Sequence, residues 1–71
     1  MRGWREVQVA FGIRTNITPV IREIKGKKLI FWFRNGNGEI ADIVTALKSK
    51  GANVSVVWDD KEGLTGIVLN A

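Results

Sequence analysis

The segment KGKKLIFWFR, residues 25–34, carries the side chains of this chain that are best suited to bind a polyanion. Its lysines stand before a run of five large apolar residues that includes Trp32, and Arg34 follows the run. Lysine and arginine neutralise phosphates, and an exposed indole stacks on a nucleic-acid base for about 1 to 3 kcal/mol. The same residues would also suit a strand that buries its rings in a core or a subunit interface, so two different functions are open.

The residues needed for most enzyme chemistry are missing from the sequence. There is no histidine and no cysteine, which removes the commonest general base, the commonest metal ligands and any disulfide. The acidic residues Asp59, Asp60 and Glu62 do not have the spacing of an EF-hand calcium loop. Neither Ser49 nor Ser55 has a base at a predictable distance. We therefore expect a protein that is not an enzyme, without a cofactor and without a metal site.

Length and composition indicate one small domain. With 71 residues, the chain lies near the lower limit for independent folding, and we expect a single domain over residues 1–71. Glu6 and Gln8 interrupt the N-terminal segment before it reaches the length of a signal-peptide core. All uncharged stretches are well below the ~18 residues of a membrane-spanning helix. These features predict a soluble, cytoplasmic protein that makes no contact with a membrane.

The net charge of +4 is unevenly distributed along the chain. Residues 1–34 contain eight Lys and Arg and two acidic residues, whereas residues 35–71 contain three and five. The two halves therefore have opposite sign. Such asymmetry directs a polyanion to one side of a small domain, or pairs the basic side of one molecule with the acidic side of another.

Hydrophobic periodicity predicts three strands in the first half of the chain. Between residues 4 and 14 the apolar residues occupy alternate positions, which is the pattern of a half-buried strand. They are Val7, Val9, Phe11 and Ile13. A second strand over residues 19–24 and a third over residues 27–34 are predicted to be joined by a tight turn at Lys25-Gly26.

The clearest element is a helix over residues 38–51. Its apolar residues have the i, i+3, i+4, i+7 spacing of one helical face. They are Ile40, Ile43, Val44 and Leu47. Asn37 is the predicted N-cap and Gly51 the predicted stop, and two further strands follow over residues 53–58 and 64–70. The predicted fold class is therefore α+β, of order βββαββ, with one amphipathic helix on one face of an antiparallel sheet of up to five strands.

The predicted register decides which side of the sheet Trp32 faces. A two-residue turn at residues 25–26 pairs Glu23 with Lys28, and a three-residue turn is the alternative. The odd-numbered residues of the third strand then join the helix. Its even-numbered residues lie on the opposite face: Lys28, Ile30, Trp32 and Arg34. One short helix covers only one face, so we expect Ile30 and Trp32 to be left for contact with another molecule.

The other two tryptophans have different expected places. Trp58 continues the parity of Val54 and Val56 in its strand and is expected in the core. Trp4 follows Arg2 and precedes Arg5 in the basic half of the chain. The sequence leaves open whether Trp4 closes the edge of the sheet or joins the basic face.

The first function predicted from this face is nucleic-acid binding. The chain would be a small regulatory or accessory protein that binds DNA or RNA through a basic sheet face, with Trp32 stacking on bases or wedging between them. The predicted nucleic-acid-binding residues are Arg14, Arg22, Lys25, Lys27, Lys28, Trp32 and Arg34. A homodimer is expected, because a tryptophan on an uncovered sheet face is more often buried by a second subunit. Such a dimer is compatible with nucleic-acid binding, since two basic surfaces hold a polyanion better than one and small basic β-rich dimers read DNA through strands.

The alternative function is contact with a protein. Ile30 and Trp32 would then be the interface residues that anchor a partner, and the surrounding charges would form the rim. The chain would be a protein-interaction module, such as an inhibitor or an assembly subunit, or a homodimerising domain. The two functions differ in their response to salt, because phosphate contacts weaken steeply as salt rises and apolar contacts do not.

Overall fold

The computed structural model describes residues 3–70, which form two helices and a four-stranded sheet. The helices are α1 (Trp4–Phe11) and α2 (Glu39–Ser49), and the strands are β1 (Ile21–Lys25), β2 (Lys28–Arg34), β3 (Val54–Asp59) and β4 (Leu64–Asn70). The α+β class and the antiparallel sheet are confirmed, with four strands rather than five. Neither helix of this part of the chain is long and apolar enough to cross a membrane.

The segment predicted as the first strand is the helix α1, so this part of the predicted topology is wrong. Its apolar residues fit two periods at once. Val7, Val9 and Phe11 alternate, whereas Trp4, Val7 and Phe11 stand at the helical spacing i, i+3, i+7. Trp4 and Val7 are buried, whereas Val9 is 77% exposed. The residues that enter the core are therefore those at the helical spacing.

Caps at both ends of α1 favour the helix over a strand. The backbone N–H of Gly3 donates to the Glu6 carboxylate at 3.2 Å, which is half of a capping box. Gly12 follows the last helical residue with φ +65°, a conformation that glycine adopts without steric cost. The backbone N–H groups of Gly12 and Ile13 both donate to the Gln8 carbonyl. The caps and the buried face together outweigh the β-propensity of the valines.

All neighbouring strands are antiparallel, in the order β1-β2-β4-β3, so β2 and β4 are central and β1 and β3 are the edges. Both helices pack on one side of the sheet, which we call the helix-covered face; the other side is the open face. The core under the helices consists of Trp4, Val7, Ile13, Phe31, Phe33, Ile40, Ile43, Leu47 and Ile67.

The helix α2 is confirmed, although its N-cap residue is Gly38 and not the predicted Asn37. Ile40, Ile43 and Leu47 are its buried residues. The Asn37 side-chain oxygen accepts a hydrogen bond from the backbone N–H of Glu39 at 2.9 Å, so Asn37 stabilises the first turn as an N-cap does. The helix is followed by a glycine with positive φ at position 51, as expected of a helix stop.

The turn between β1 and β2 lies at Gly26-Lys27, not at Lys25-Gly26, so the predicted register is wrong by two residues. Lys28 consequently pairs with Lys25 and not with Glu23. Gly26 has φ +62° at the first central position of the turn, where a type II′ turn requires glycine. Because the shift is even, every residue of the hairpin keeps its predicted face.

The two remaining tryptophans lie in opposite environments. Trp58 was expected in the core, but it is 69% exposed, because β3 is an edge strand that α2 covers only in part. Trp4 is buried on the helix-covered face. Its ring centroid lies 5.1 Å from that of Phe31 and 5.0 Å from that of Phe33, which makes it the contact between α1 and the centre of the sheet.

Candidate functional site

The open face carries most of the predicted site, and its residues lie in rows across the strands. Starting from the β1–β2 turn, the rows are Lys25, Lys28 and Asn70; Glu23, Ile30, Val68 and Ser55; Ile21, Trp32, Gly66 and Val57; and Arg34, Leu64 and Asp59. Cations therefore stand at both ends of β2, and the middle of the face is apolar around Trp32.

Trp32 lies across Gly66, the residue next to it on β4. A Cβ atom at Gly66 would stand 3.0 Å from Cζ3 of Trp32, 2.8 Å from Cγ2 of Val57 and 3.1 Å from Cγ2 of Ile30. Carbon atoms in favourable contact are about 3.5 to 4.0 Å apart, so a side chain at this position would collide with all of them. The indole thus occupies the space that the missing side chain leaves, as expected where glycine interrupts a strand.

The polar end of the Trp32 indole is also held. Its Nε1–H donates to the Glu23 carboxylate at 3.0 Å. Glu23 lies on the edge strand β1, one row closer to the hairpin turn, so the hydrogen bond crosses the face diagonally. The bond is exposed to solvent, and we expect it to orient the ring more than to stabilise the fold.

A second apolar cluster closes the open face beside the indole. Ile30 is 5% exposed, Val68 2% and Leu64 7%, although they lie opposite the helices and outside the core cluster. The predicted interface pair is therefore divided between two environments. Ile30 is enclosed within the chain and has no surface left to anchor a partner, whereas Trp32 is half-buried and keeps part of its ring accessible.

Three exposed lysines gather at the β1–β2 turn. Lys25 and Lys28 are direct cross-strand partners, and Lys27 belongs to the turn between them. Like charges directly opposite each other destabilise an antiparallel pair. The other cross-strand neighbour of Lys28 is Asn70, which brings no compensating charge. An anion bound here would relieve the repulsion.

Arg34 stands at the far end of β2. It is exposed, and its row contains Leu64 and Asp59. At about 3.3 Å per residue, the strand separates Lys28 from Arg34 by about 20 Å. Trp32 lies between them, so the open face presents charge, ring and charge along one strand.

Two of the predicted residues lie away from the open face. Arg22 pairs with Phe31 and therefore belongs to the helix-covered side, where its Nη1 lies 3.8 Å from the position of a Cβ at Gly3. Arg14 and Arg5 line a shallow groove of about 340 Å³ beside α1. The open face brings together Lys25, Lys28, Trp32 and Arg34, with Lys27 at its margin.

The sequence-based prediction did not include Gly66 and Glu23, the two residues that position the Trp32 indole on the open face. Gly66 carried a readable signal, because an isolated glycine within a strand indicates a close approach by another group. Glu23 had no such signal, since its bond to Trp32 depends on the register of the hairpin. No group of three or more acidic residues in the described range is arranged to hold a metal ion.

Comparisons of the chain with protein-family models, with curated proteins and with solved structures return no significant match. The function is therefore inferred from the side chains of the open face and of the sheet edges.

Proposed function

We propose that this chain is a small regulatory or accessory protein that binds nucleic acid through the open face of its sheet. The observation that supports this most is the cross-strand pair of Lys25 and Lys28. An unrelieved pair of this kind weakens the hairpin, and a phosphate between the two ammonium groups replaces repulsion with attraction. The half-buried indole of Trp32 on the same face adds a stacking surface.

The nucleic acid would run along β2. Its phosphates would contact the lysines of the hairpin turn at one end and Arg34 at the other, about 20 Å apart. Trp32 would stack on a base between these contacts. Ile21 and Val57, which are 52% and 37% exposed, extend the apolar surface on either side of the ring. Because the ring is fitted over Gly66 and bonded to Glu23, we propose that it stacks on unpaired bases, so that single strands bind better than duplexes.

The first test is a titration of labelled single-stranded and double-stranded oligonucleotides at several salt concentrations. Three or four phosphate contacts to a single strand would give a slope of log K against log salt of about −2 to −3. Tighter binding of the single strand with this slope is the expected result. Absence of binding at low salt would exclude the proposal.

A matched pair of charge reversals localises the contact. Lys25→Glu with Lys28→Glu changes the open face, and Arg5→Glu with Arg14→Glu makes the same change in net charge beside α1. We expect the first pair to weaken binding at least about 10-fold, through lost and reversed phosphate contacts, and the second pair to have a much smaller effect. Equal losses would mean that net charge alone drives binding, which contradicts a site on the open face.

The alternative is a protein-interaction module whose partner, another protein or a second copy of the chain, contacts Trp32. The exposed side chain of Ile21 beside the ring favours this alternative. Trp32→Leu separates the two functions, because leucine keeps apolar cover over Gly66 but cannot stack on a base. Loss of base stacking would weaken nucleic-acid binding by about 5- to 150-fold. An unchanged affinity for oligonucleotides would leave the protein partner as the function of this surface.

A further inference from the structure

The two edges of the sheet differ in their protection against pairing with another strand. The edge strand β1 has the sequence IREIK, with charged residues on both of its faces. The edge strand β3 has the sequence VSVVWD, in which Asp59 is the only charged residue and there is no proline. Charges and proline are the usual devices that keep an edge from pairing. Apart from Asp59 at its end, the edge of β3 lacks them and instead exposes Trp58 and Val57.

The free backbone groups of β3 can be identified from its ladder with β4. The N–H of Asn70 donates to the carbonyl of Asn53 at 3.0 Å, so this pair is a hydrogen-bonded one. Hydrogen-bonded and non-hydrogen-bonded pairs alternate in an antiparallel ladder. The N–H and C=O groups of Val54, Val56 and Trp58 are therefore directed away from β4, toward the open edge.

The side chains of the same three residues lie on the helix-covered face. Beside them a groove of about 570 Å³ runs between α2 and β3, lined by Ile40, Val44, Val56 and Trp58. Unpaired backbone groups and an apolar groove thus lie along one edge, which suits an added strand that also brings apolar side chains.

We propose that the strand that pairs here is β3 of a second copy of this chain. The two strands would run antiparallel about a two-fold axis at Val56, so that Val56 pairs with its own equivalent and Val54 pairs with Trp58 of the second copy. Every pair in this register joins residues of the same face, so the helices of both copies stay on the same side of one continuous sheet. This inference does not depend on nucleic-acid binding.

Charge complementarity is the reason for choosing a second copy. The turn that follows β3 contains Asp60 and Glu62 with Lys61 between them, and Lys48 and Lys50 lie at the end of α2 that precedes β3, all of them exposed. In the antiparallel arrangement, the acidic turn of each copy lies at the same end of the interface as the lysine-bearing end of α2 of the other copy. A parallel arrangement would set acid against acid. After pairing, only the charged β1 edges remain, so assembly stops at the dimer.

Sedimentation of the protein over a wide concentration range tests the dimer. We expect the wild-type chain to be a dimer and Trp58→Lys to be a monomer, because the variant buries a lysine at the interface. Since Trp58 is mostly exposed in the single chain, the variant should keep its circular dichroism spectrum. Trp32→Leu should leave the dimer intact. A wild-type monomer, or a dimer lost in Trp32→Leu but kept in Trp58→Lys, would overturn the proposal.

Charge exchange tests the antiparallel arrangement. Lys50→Glu and Glu62→Lys should each weaken self-association by about 3- to 30-fold, because each reverses the charge of one partner in both end contacts. An equimolar mixture of the two variants should form a heterodimer close to wild-type affinity, since one end then keeps the wild-type pair of charges and the other end has the same pair with exchanged signs. Failure of the mixture to recover would refute the antiparallel arrangement. Oligonucleotide titration of the monomeric Trp58→Lys variant reports separately on the open face.

Discussion

The two faces of the sheet are closed by different means. Under the helices, Phe31, Phe33 and Ile67 are buried by elements from distant parts of the chain. On the open face, Ile30 and Val68 reach a comparable degree of burial beside a single indole. The helices enclose the residues at the centre of their face, whereas the indole beside Ile30 stays partly accessible itself. Burial of a sheet residue therefore does not require a covering layer of helices, and a face closed by side chains alone still keeps an accessible group that can contact another molecule.

The largest expected effect comes from the helix-covered face. Phe31→Ala removes a fully buried ring from the centre of the core, and we expect a loss of about 3 to 5 kcal/mol in the free energy of unfolding. Small domains have about 5 to 15 kcal/mol in total, so this variant should unfold at much lower urea. Denaturation followed by circular dichroism measures the loss. A loss no larger than those on the open face would contradict the comparison.

An intermediate effect is expected at Gly66. Gly66→Ala introduces a methyl group into the space of the Trp32 indole, and we expect a net loss of about 1 to 2 kcal/mol from overpacking, reduced by the lower flexibility of alanine in the unfolded chain.

The matched control for this variant is the double substitution Gly66→Ala with Val57→Ala. It removes the closest clash, that with Cγ2 of Val57, so the double variant should be more stable than the sum of the single effects. Urea denaturation of the four proteins gives the coupling energy. Strictly additive losses would show that the side chain of Val57 does not limit the space at Gly66.

The smallest effect on stability is expected at Glu23. Glu23→Gln keeps an oxygen that accepts the indole N–H, and we expect a change of about 0.5 kcal/mol or less in the free energy of unfolding. It also removes a negative charge beside Trp32, so oligonucleotide affinity at low salt should rise by about 2- to 5-fold. Asp42→Asn, the same charge change on the exposed side of α2, is the control. A larger gain in Asp42→Asn than in Glu23→Gln would place the polyanion on the other side of the sheet.

Local sequence patterns correctly predicted the elements whose apolar residues fit the spacing of a helix or that of a strand, but not both. The helix α2 was recognised because its apolar residues fit the helical spacing alone, and β2 because its split into two faces survives a register shift of two residues. The segment of α1 fits both periods, so the choice between strand and helix rests on Gly3, Gly12 and the core that Trp4 enters. The incorrect placement of Trp58 has a topological cause, because β3 becomes an edge strand only through the strand order β1-β2-β4-β3.

The candidate site was predictable to the same extent. Lys28, Trp32 and Arg34 share a face by parity along one strand, and the structure places them so. Arg22 falls on the other face by the same parity, since it pairs with Phe31. Arg14 was placed through a strand that is in fact a helix. The fit of Trp32 over Gly66 joins residues far apart in the chain, and no local pattern contains the adjacency of β2 and β4 on which it depends.

The fit of the Trp32 indole over Gly66 constrains how this chain can diverge. The indole of Trp32 packs in the space that the absent side chain of Gly66 leaves open. Exchange of the glycine alone produces a collision, and exchange of the tryptophan for a small residue leaves the space over Gly66 unfilled. We therefore expect descendants of this sequence to keep both residues or to replace them together, so that substitutions at positions 32 and 66 are correlated in evolution.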